Sequence, residues 1–289
     1  MILPDSVRFS TAAILASIFV LVGALWEGQA GIETLKGLTS FSMRKAMAAS
    51  VGAAITVTLM TGLGLPVSTS QAAVGAILGI GFLGKQLNLG GLGKVVVCWI
   101  GTPIGGMLIA MLLYKLIGVF YNRIRIDLFK SDILLRIALI AAGSYASYAL
   151  GANNVANVTA VFVGSGQLTV FWAALIGGLS ISLGILTFSR RVMETVGRKL
   201  VRLDPFSALV VILAEALTVH FYTVVGVPVS TSQAVIGGVL GVGIVKGIKT
   251  VNRRTMGSIL LGWFLTPVVA CFITMMLLFF VSLRYLPQP

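Results

Sequence analysis

The sequence predicts an all-α polytopic membrane protein with two internal repeats, each containing a broken or re-entrant segment. Three observations predict this class: the composition, a series of long apolar runs, and a phrase that occurs twice. The chain has 289 residues, of which 57% are hydrophobic and 10% charged, with a mean hydropathy of +1.04. Soluble domains of ordinary composition are far more polar. The chain is therefore expected in the cell membrane as a multi-pass protein.

Apolar runs of membrane-spanning length, about 20 residues each, follow one another along the chain. They lie near residues 9–27, 46–63, 95–120, 132–150, 168–188, 206–225 and 256–283. Each run is expected to form a membrane-spanning helix.

The net charge of +13 does not indicate a nucleic-acid partner, because most Lys and Arg residues lie between the apolar runs. Basic loops of this kind border membrane spans and contact anionic lipid. Cys98, Cys271 and the single histidine, His220, fall within apolar runs and are expected to be core residues. No set of nucleophile, base and orienting group presents itself, so the sequence indicates neither an enzyme nor a cofactor, a sodium ion excepted.

The repeated phrase contains a proline, a valine and then four consecutive polar residues. Residues 64–72 read Gly-Leu-Pro-Val-Ser-Thr-Ser-Gln-Ala, and residues 226–234 read Gly-Val-Pro-Val-Ser-Thr-Ser-Gln-Ala. Proline interrupts a preceding helix but starts a new one comfortably, and a following serine can cap the first turn. The phrase predicts half-helices that begin near Ser68 and Ser230. The alternative is that the hydroxyls bond back within a kinked helix.

Similarity between the two halves extends on both sides of this phrase. The offset runs from 161 residues, where Thr11 aligns with Trp172, to 164 residues, where Pro103 aligns with Pro267. Such constancy predicts a duplicated unit. We expect a first repeat at 1–120, a basic linker at 121–131 and a second repeat at 132–289. The first repeat is expected to lack its opening, because the counterpart of the second would fall before Met1.

The two predicted half-helix starts are candidate oxyanion sites. Each presents unpaired backbone N–H groups and about half a positive charge, so it attracts an anion without Lys or Arg. Hydroxyl and amide side chains add further donors. The predicted substrate-binding residues are Ser68, Thr69, Ser70, Gln71, Ser230, Thr231, Ser232, Gln233, Asn153 and Asn154.

Three amides and one carboxylate are candidates for cation coupling. Asn153, Asn154 and Asn157 are expected at the end of an apolar span, where their oxygens could ligate sodium or their nitrogens bind an oxyanion. Helix capping beside Gly151 is the alternative reading. Glu215 is the one carboxylate well inside a predicted span, which indicates function unless its side chain reaches the interface. The predicted coupling residues are Asn154, Asn157 and Glu215.

These motifs resemble those of the inorganic phosphate transporter (PiT) family, which also includes sulfate permeases. The stretch at 151–157, Gly-Ala-Asn-Asn-Val-Ala-Asn, is similar to the family's Gly-Ala-Asn-Asp signature, and both Pro-Val-Ser-Thr phrases match family positions. The segment from Arg190 and Arg191 to Glu194 also resembles the family. The resemblance implies two inverted repeats with oxyanion and cations bound where the broken segments meet. It also implies that Glu215 matches the acidic residue before the second phrase.

The chain departs from the family pattern at three points. Asn154 stands where the family has Asp, Val20 stands where an acidic residue is expected in the first half, and the first signature is absent. Cation coupling would then depend on Glu215 and backbone carbonyls. Loss of a carboxylate also relaxes the choice of phosphate over sulfate, because only monohydrogen phosphate keeps a proton that needs an acceptor.

The function expected from this reading is secondary active transport of inorganic phosphate, coupled to sodium or protons. One alternative is a sulfate permease of the same family. Another is a non-transporting remnant, or a chain that a partner completes. The expected partners are phosphate or sulfate and the lipid bilayer, with a homodimer as one option for the assembly.

Overall fold

A computed structural model describes residues 9–64, 67–123, 127–199, 203–247 and 253–283. Within these ranges the chain is all-helical, without a strand. The helices are α1 (Phe9–Glu27), α2 (Gln29–Lys36), α3 (Met43–Gly62), α4 (Thr69–Gly84), α5 (Leu89–Arg123), α6 (Leu128–Gly164), α7 (Val170–Lys199), α8 (Pro205–Val224), α9 (Thr231–Lys246) and α10 (Arg253–Leu283).

Seven of the described helices are long and apolar enough to cross a membrane: α1, α3, α5, α6, α7, α8 and α10. Each overlaps one of the seven apolar runs, although the span in α6 continues to Gly164, beyond the run at 132–150. Large apolar side chains such as Ile100, Phe264 and Phe272 point outward from them, as expected where lipid rather than water surrounds the protein. The predicted class, an all-helical multi-pass membrane protein, is confirmed.

Both repeated phrases interrupt a helix, as predicted. The helix before each phrase ends at Gly62 or Val224. Gly64 and Gly226 then adopt left-handed backbone conformations, with φ of 70° and 81°, which a residue without a Cβ atom adopts at little cost. Leu65 and Pro66 of the first phrase lie outside the described residues, whereas Pro228 is buried.

The two half-helices α4 and α9 each pack against the last long helix of the opposite half. A Cβ atom built on Gly75 of α4 would lie 2.3 Å from the carbonyl oxygen of Pro267 in α10. On the other side, a Cβ atom on Gly237 of α9 would lie 2.1 Å from that of Pro103 in α5. Neither approach tolerates a side chain. The glycines after the phrases therefore allow close helix packing.

One sequence expectation about placement is wrong. Asn153, Asn154 and Asn157 do not lie at the end of a span, because α6 continues through them to Gly164. Capping therefore does not explain these amides. Val20 is buried on α1, where its backbone packs against Gly151. The segment from Arg190 to Glu194 continues α7, and its side chains lie outside the described set.

Candidate functional site

Each half-helix begins with a serine cap. Ser68 accepts a hydrogen bond from the backbone N–H of Gln71 at 3.3 Å, and Ser230 accepts one from that of Gln233 at 3.3 Å. Both capping serines are buried. The predicted starts of the half-helices are thus confirmed, and the two phrases have the same local geometry.

The caps leave the first two backbone N–H groups of each half-helix without a partner among the described residues. On α4 these belong to Thr69 and Ser70, and on α9 to Thr231 and Ser232. Thr69 is exposed, while Thr231 and Ser232 are half-buried. Free donors at the positive end of a helix form a favourable site for an anion.

The two phrases contact each other directly. The Ser70 hydroxyl donates to the carbonyl oxygen of Val229 at 2.7 Å. Ser70 therefore bonds across to the second phrase. It does not bond back along its own helix in the way that Thr218 bonds to Ala214. For Ser70, the alternative of back-bonding within a kinked helix is excluded.

Asn153 of α6 fixes the same segment of the second phrase. Its amide nitrogen donates to the Val229 carbonyl at 2.8 Å, and its amide oxygen accepts from the Val229 N–H at 3.0 Å. The Asn153 side chain is buried. It therefore pairs with both the N–H and the carbonyl of Val229, which belongs to no helix. Without Asn153 these buried backbone groups would lack a hydrogen-bond partner.

The remaining amides of α6 face the first phrase. The Asn157 side chain donates to the Ser70 hydroxyl at 2.9 Å and to the Asn154 oxygen at 2.8 Å. The Thr69 hydroxyl lies 3.5 Å from the same Asn154 oxygen. The Asn residues and both phrases thus form one hydrogen-bonded cluster, which we call the Ser-Asn cluster: residues 68–71, 153, 154, 157 and 229–233.

Several buried polar atoms near this cluster lack a hydrogen-bond partner among the described residues. Three are acceptors: the side-chain oxygens of Gln71, Asn157 and Gln233. Unpaired buried acceptors are unusual in folded proteins, and each of these three can accept from a water molecule or bind a cation. The described residues contain no group of three or more His, Cys, Asp or Glu that could hold a metal ion.

Two buried donors are residues to which the sequence analysis gave no role. The indole nitrogens of Trp99 and Trp263 also lack partners within the described part of the chain. Gly75 and Gly79 of α4 contact Pro267 and Cys271 of α10 in the same order, so the two helices run in the same direction here. One turn earlier on each helix, Trp263 therefore lies beside Gln71. The Gly237–Pro103 contact places Trp99 beside Gln233 in the same way. The shared Trp-x-x-Thr-Pro pattern was the available signal.

Glu215 lies outside the Ser-Asn cluster. It is in the middle of α8 with 7% of its surface exposed. Its carboxylate makes no hydrogen bond or ion pair with any described residue. Besides the two tryptophans, the sequence analysis gave no role to Glu27. Glu27 contacts His220, and its carboxylate oxygen lies 2.7 Å from the imidazole Nε2. His220 is therefore half-buried and paired, not simply a core residue.

A helical membrane protein with two half-helix starts that meet at a neutral, donor-rich cluster has the architecture of a transporter for an anionic solute. Comparison with known proteins gives the family. The Phosphate transporter family matches residues 4–131 and 122–274 of this chain. The chain belongs to that family, as the motifs predicted.

Two relatives and one solved structure extend the comparison. A Methanocaldococcus jannaschii protein named "putative phosphate permease" is 32% identical over 90% of this chain and 82% of its own length. The sulfate permease CysP of Bacillus subtilis is 29% identical over 92% of this chain and 76% of its own length. A structure titled "The sodium-dependent phosphate transporter" has the same fold, with a TM-score of 0.83, 24% identity and coverage of 96% of this chain and 91% of that one.

Proposed function

We propose that this chain carries inorganic phosphate across the membrane by secondary active transport, with sodium or protons as the coupling ion. The observation that carries the proposal is the direct contact between the two half-helix starts, where Ser70 and Asn153 both bond Val229. Membership of the Phosphate transporter family supports the substrate class. The chain is proposed to work as a transporter and not as an enzyme.

In this proposal the oxyanion binds at the free ends of α4 and α9. The backbone N–H groups of Thr69, Ser70, Thr231 and Ser232 supply donors, and the threonine hydroxyls add two more. A tetrahedral anion presents several acceptor oxygens, so donors on opposite sides suit it. Because both half-helices direct partial positive charge at the same place, no Lys or Arg is needed.

Coupling to a cation follows from the cost of moving charge. Bringing a dianion into a cell against an inside-negative potential costs about 4.6 kcal/mol per 100 mV, twice the value for one charge. The unpaired oxygens of Gln71, Asn157 and Gln233 suit a co-transported sodium ion. We keep Asn154, Asn157 and Glu215 as the proposed coupling residues. A structure of the same fold is titled as sodium-dependent.

Sulfate is the second candidate substrate, and a specific residue favours it. Asn154 places a neutral amide in the Ser-Asn cluster, where it accepts from Asn157 and Asn153. No carboxylate belongs to this cluster to accept the proton of monohydrogen phosphate. One relative of this chain is named as a sulfate permease.

We further propose that the chain consists of two related units. The reciprocal packing of α4 on α10 and of α9 on α5 supports this, since each half-helix contacts the opposite half through an equivalent glycine. The boundaries at 1–120 and 132–289 and the inverted relation of the units remain part of the proposal, as does a homodimer.

Uptake of labelled phosphate and sulfate into proteoliposomes tests the function. Thr69→Val and Thr231→Val remove a hydroxyl from each half-helix start without touching the serine caps, and each is expected to reduce uptake at least about tenfold. Thr58→Ala is the matched control, because its hydroxyl only bonds back to Ala54 on an exposed face of α3. If both site variants transport like the control, the half-helix starts do not bind the anion. If the wild type itself moves neither anion, the chain is a non-transporting or partner-dependent relative.

A further inference from the structure

A titratable group outside the Ser-Asn cluster joins three helices. His220 of α8 has one ring nitrogen 2.7 Å from the carboxylate of Glu27, the last residue of α1. Its other ring nitrogen is 2.6 Å from the hydroxyl of Tyr145 on α6. The ring of Tyr148, also on α6, stands edge-on to the imidazole at 5.8 Å. One imidazole thus links α1, α6 and α8.

His220 is the only histidine of the chain, and histidine changes charge in the neutral pH range. The sequence placed it in an apolar span without an obvious partner. Its partner is a carboxylate nearly two hundred residues earlier in the chain, which the fold brings to it. Both side chains remain partly exposed, 24% for His220 and 30% for Glu27, while the Glu27 oxygen that faces the imidazole is buried.

Apart from the buried Glu215 of α8, which has no partner among the described residues, the other charged groups near these helices already have partners. Lys94 of α5 donates to the carbonyl of Val225, just beyond the end of α8, at 2.9 Å. Lys246 of α9 pairs with Asp204 at the start of α8. The acid and base of α2, Glu33 and Lys36, pair with each other. The described side chains of α7, residues 170–189, include no titratable group. Glu27 is therefore the counter-charge of His220, and it also accepts a hydrogen bond from the Tyr148 hydroxyl of α6.

The Glu27–His220 pair is connected to the second phrase through α2. Glu27 is followed by Gly28 and then by α2, which packs against the second phrase. A Cβ atom on Gly31 would lie 3.3 Å from the Pro228 ring, and one on Gly226 would lie 3.5 Å from Ala30. A shift of Glu27 relative to His220 would therefore move α2 against the segment that ends at the α9 cap.

We propose that Glu27 and His220 form a proton-binding site that gains and loses one proton during the transport cycle. With the proton bound, an imidazolium faces a carboxylate and the pair is neutral overall, which closes the contact between α1 and α8. Without it, a single negative charge remains on Glu27 beside a neutral ring, and the contact weakens. The Tyr145 hydroxyl can donate to the neutral ring or accept from the protonated one. The inference rests on the proposed transport function.

The transport arm of the test uses proteoliposomes and labelled sulfate, whose charge does not change between about pH 5.5 and 8, the range in which histidine titrates. Uptake by the wild type and by Glu33→Gln is expected to change at least about threefold over this range, whereas His220→Gln and Glu27→Gln lose that dependence. Glu33→Gln removes a carboxylate of α2 that does not contact His220. If phosphate is the transported anion, the uptake rate of each variant is divided by the rate of Glu33→Gln at the same pH. This ratio removes the effect of the titration of phosphate itself.

A second arm needs no transport. A double-mutant cycle of Glu27→Gln and His220→Gln, measured by thermal unfolding in detergent, gives the coupling between the two side chains. Expressed as an equilibrium constant, this coupling is expected to be at least about threefold smaller near pH 8 than near pH 6. Coupling that is equal at both pH values, or uptake whose pH dependence survives in His220→Gln, would overturn the proton site. A pH-dependent coupling in a chain that moves neither anion would instead overturn the proposed function.

Discussion

At the scale of single residues, the site depends on a few amides and hydroxyls that satisfy one another across the chain. Asn153 is the clearest case, since it pairs with both backbone groups of Val229. Asn153 and Val229 are 76 positions apart in sequence. The asparagine was identifiable from sequence as a polar residue in an apolar span, but its partner depends on tertiary packing that no local pattern specifies.

Replacing Asn153 with alanine is expected to destabilise the chain. Two buried backbone groups would lose their partners, at about 1–3 kcal/mol for each. Thermal unfolding in detergent measures this. Asn88→Ala provides the comparison, because Asn88 bonds the backbone of Gly91 and Gly37 in an exposed position. Equal losses in the two variants would contradict the role given to Asn153.

Asn154→Asp tests the account of substrate choice. A carboxylate in the Ser-Asn cluster would accept the proton of monohydrogen phosphate and repel sulfate, so the ratio of phosphate to sulfate uptake is expected to rise about tenfold or more. Competition between the two labelled anions in proteoliposomes gives the ratio directly. A ratio that stays constant would mean that Asn154 does not face the anion.

At the scale of elements, the broken helices were predictable because proline, glycine and a capping serine act locally. The starts near Ser68 and Ser230 follow from these residues alone. The course of α6 was not predictable in the same way. Three asparagines suggested a helix end, yet α6 continues to Gly164 because their side chains bond the two phrases instead of capping their own helix.

Close packing of the half-helices gives a prediction about glycine. Gly75→Ala and Gly237→Ala would each place a methyl group against a backbone carbonyl of the opposite half, costing about 1–3 kcal/mol of unfolding free energy. Gly143→Ala is the control, because Gly143 lies inside α6 with open space around its Cβ position and should gain stability from the better helix former. The three unfolding free energies are measured in detergent. If all three variants change this free energy by the same amount, the close packing at Gly75 and Gly237 is contradicted.

The start of α8 gives a prediction about pH. Burial raises the pKa of Asp204, but hydrogen bonds from Lys246 and Ser207 outweigh burial and lower that pKa to about 2. The unfolded value is about 3.9, so the ionised carboxylate stabilises the fold above about pH 4 and this contribution is lost as the pH falls towards 2. Asp204 is 44% exposed, which limits the effect to about 1 kcal/mol or less.

Asp204→Asn should keep the cap of α8 but remove the charge. Thermal unfolding of this variant is expected to respond less to acidification from about pH 5 to 3 than that of the wild type. Identical acid responses would show that the Asp204–Lys246 pair contributes nothing in solution.

At the scale of the whole molecule, composition and apolar runs predicted the class and the number of spanning helices, because a membrane constrains length and hydrophobicity strongly. They did not predict which helices meet. The crossed packing of α4 on α10 and of α9 on α5 is set by glycines and prolines that face each other only after folding. The pairing of Glu27 with His220 escaped the sequence analysis for the same reason.

The central claim is that both half-helix starts serve one shared anion site. Equilibrium dialysis of labelled phosphate or sulfate against the purified chain tests it most directly. The account predicts one anion per chain, and it predicts that Thr69→Val and Thr231→Val each weaken binding at that same site about tenfold. Two anions per chain, with each variant losing only one of them, would contradict it.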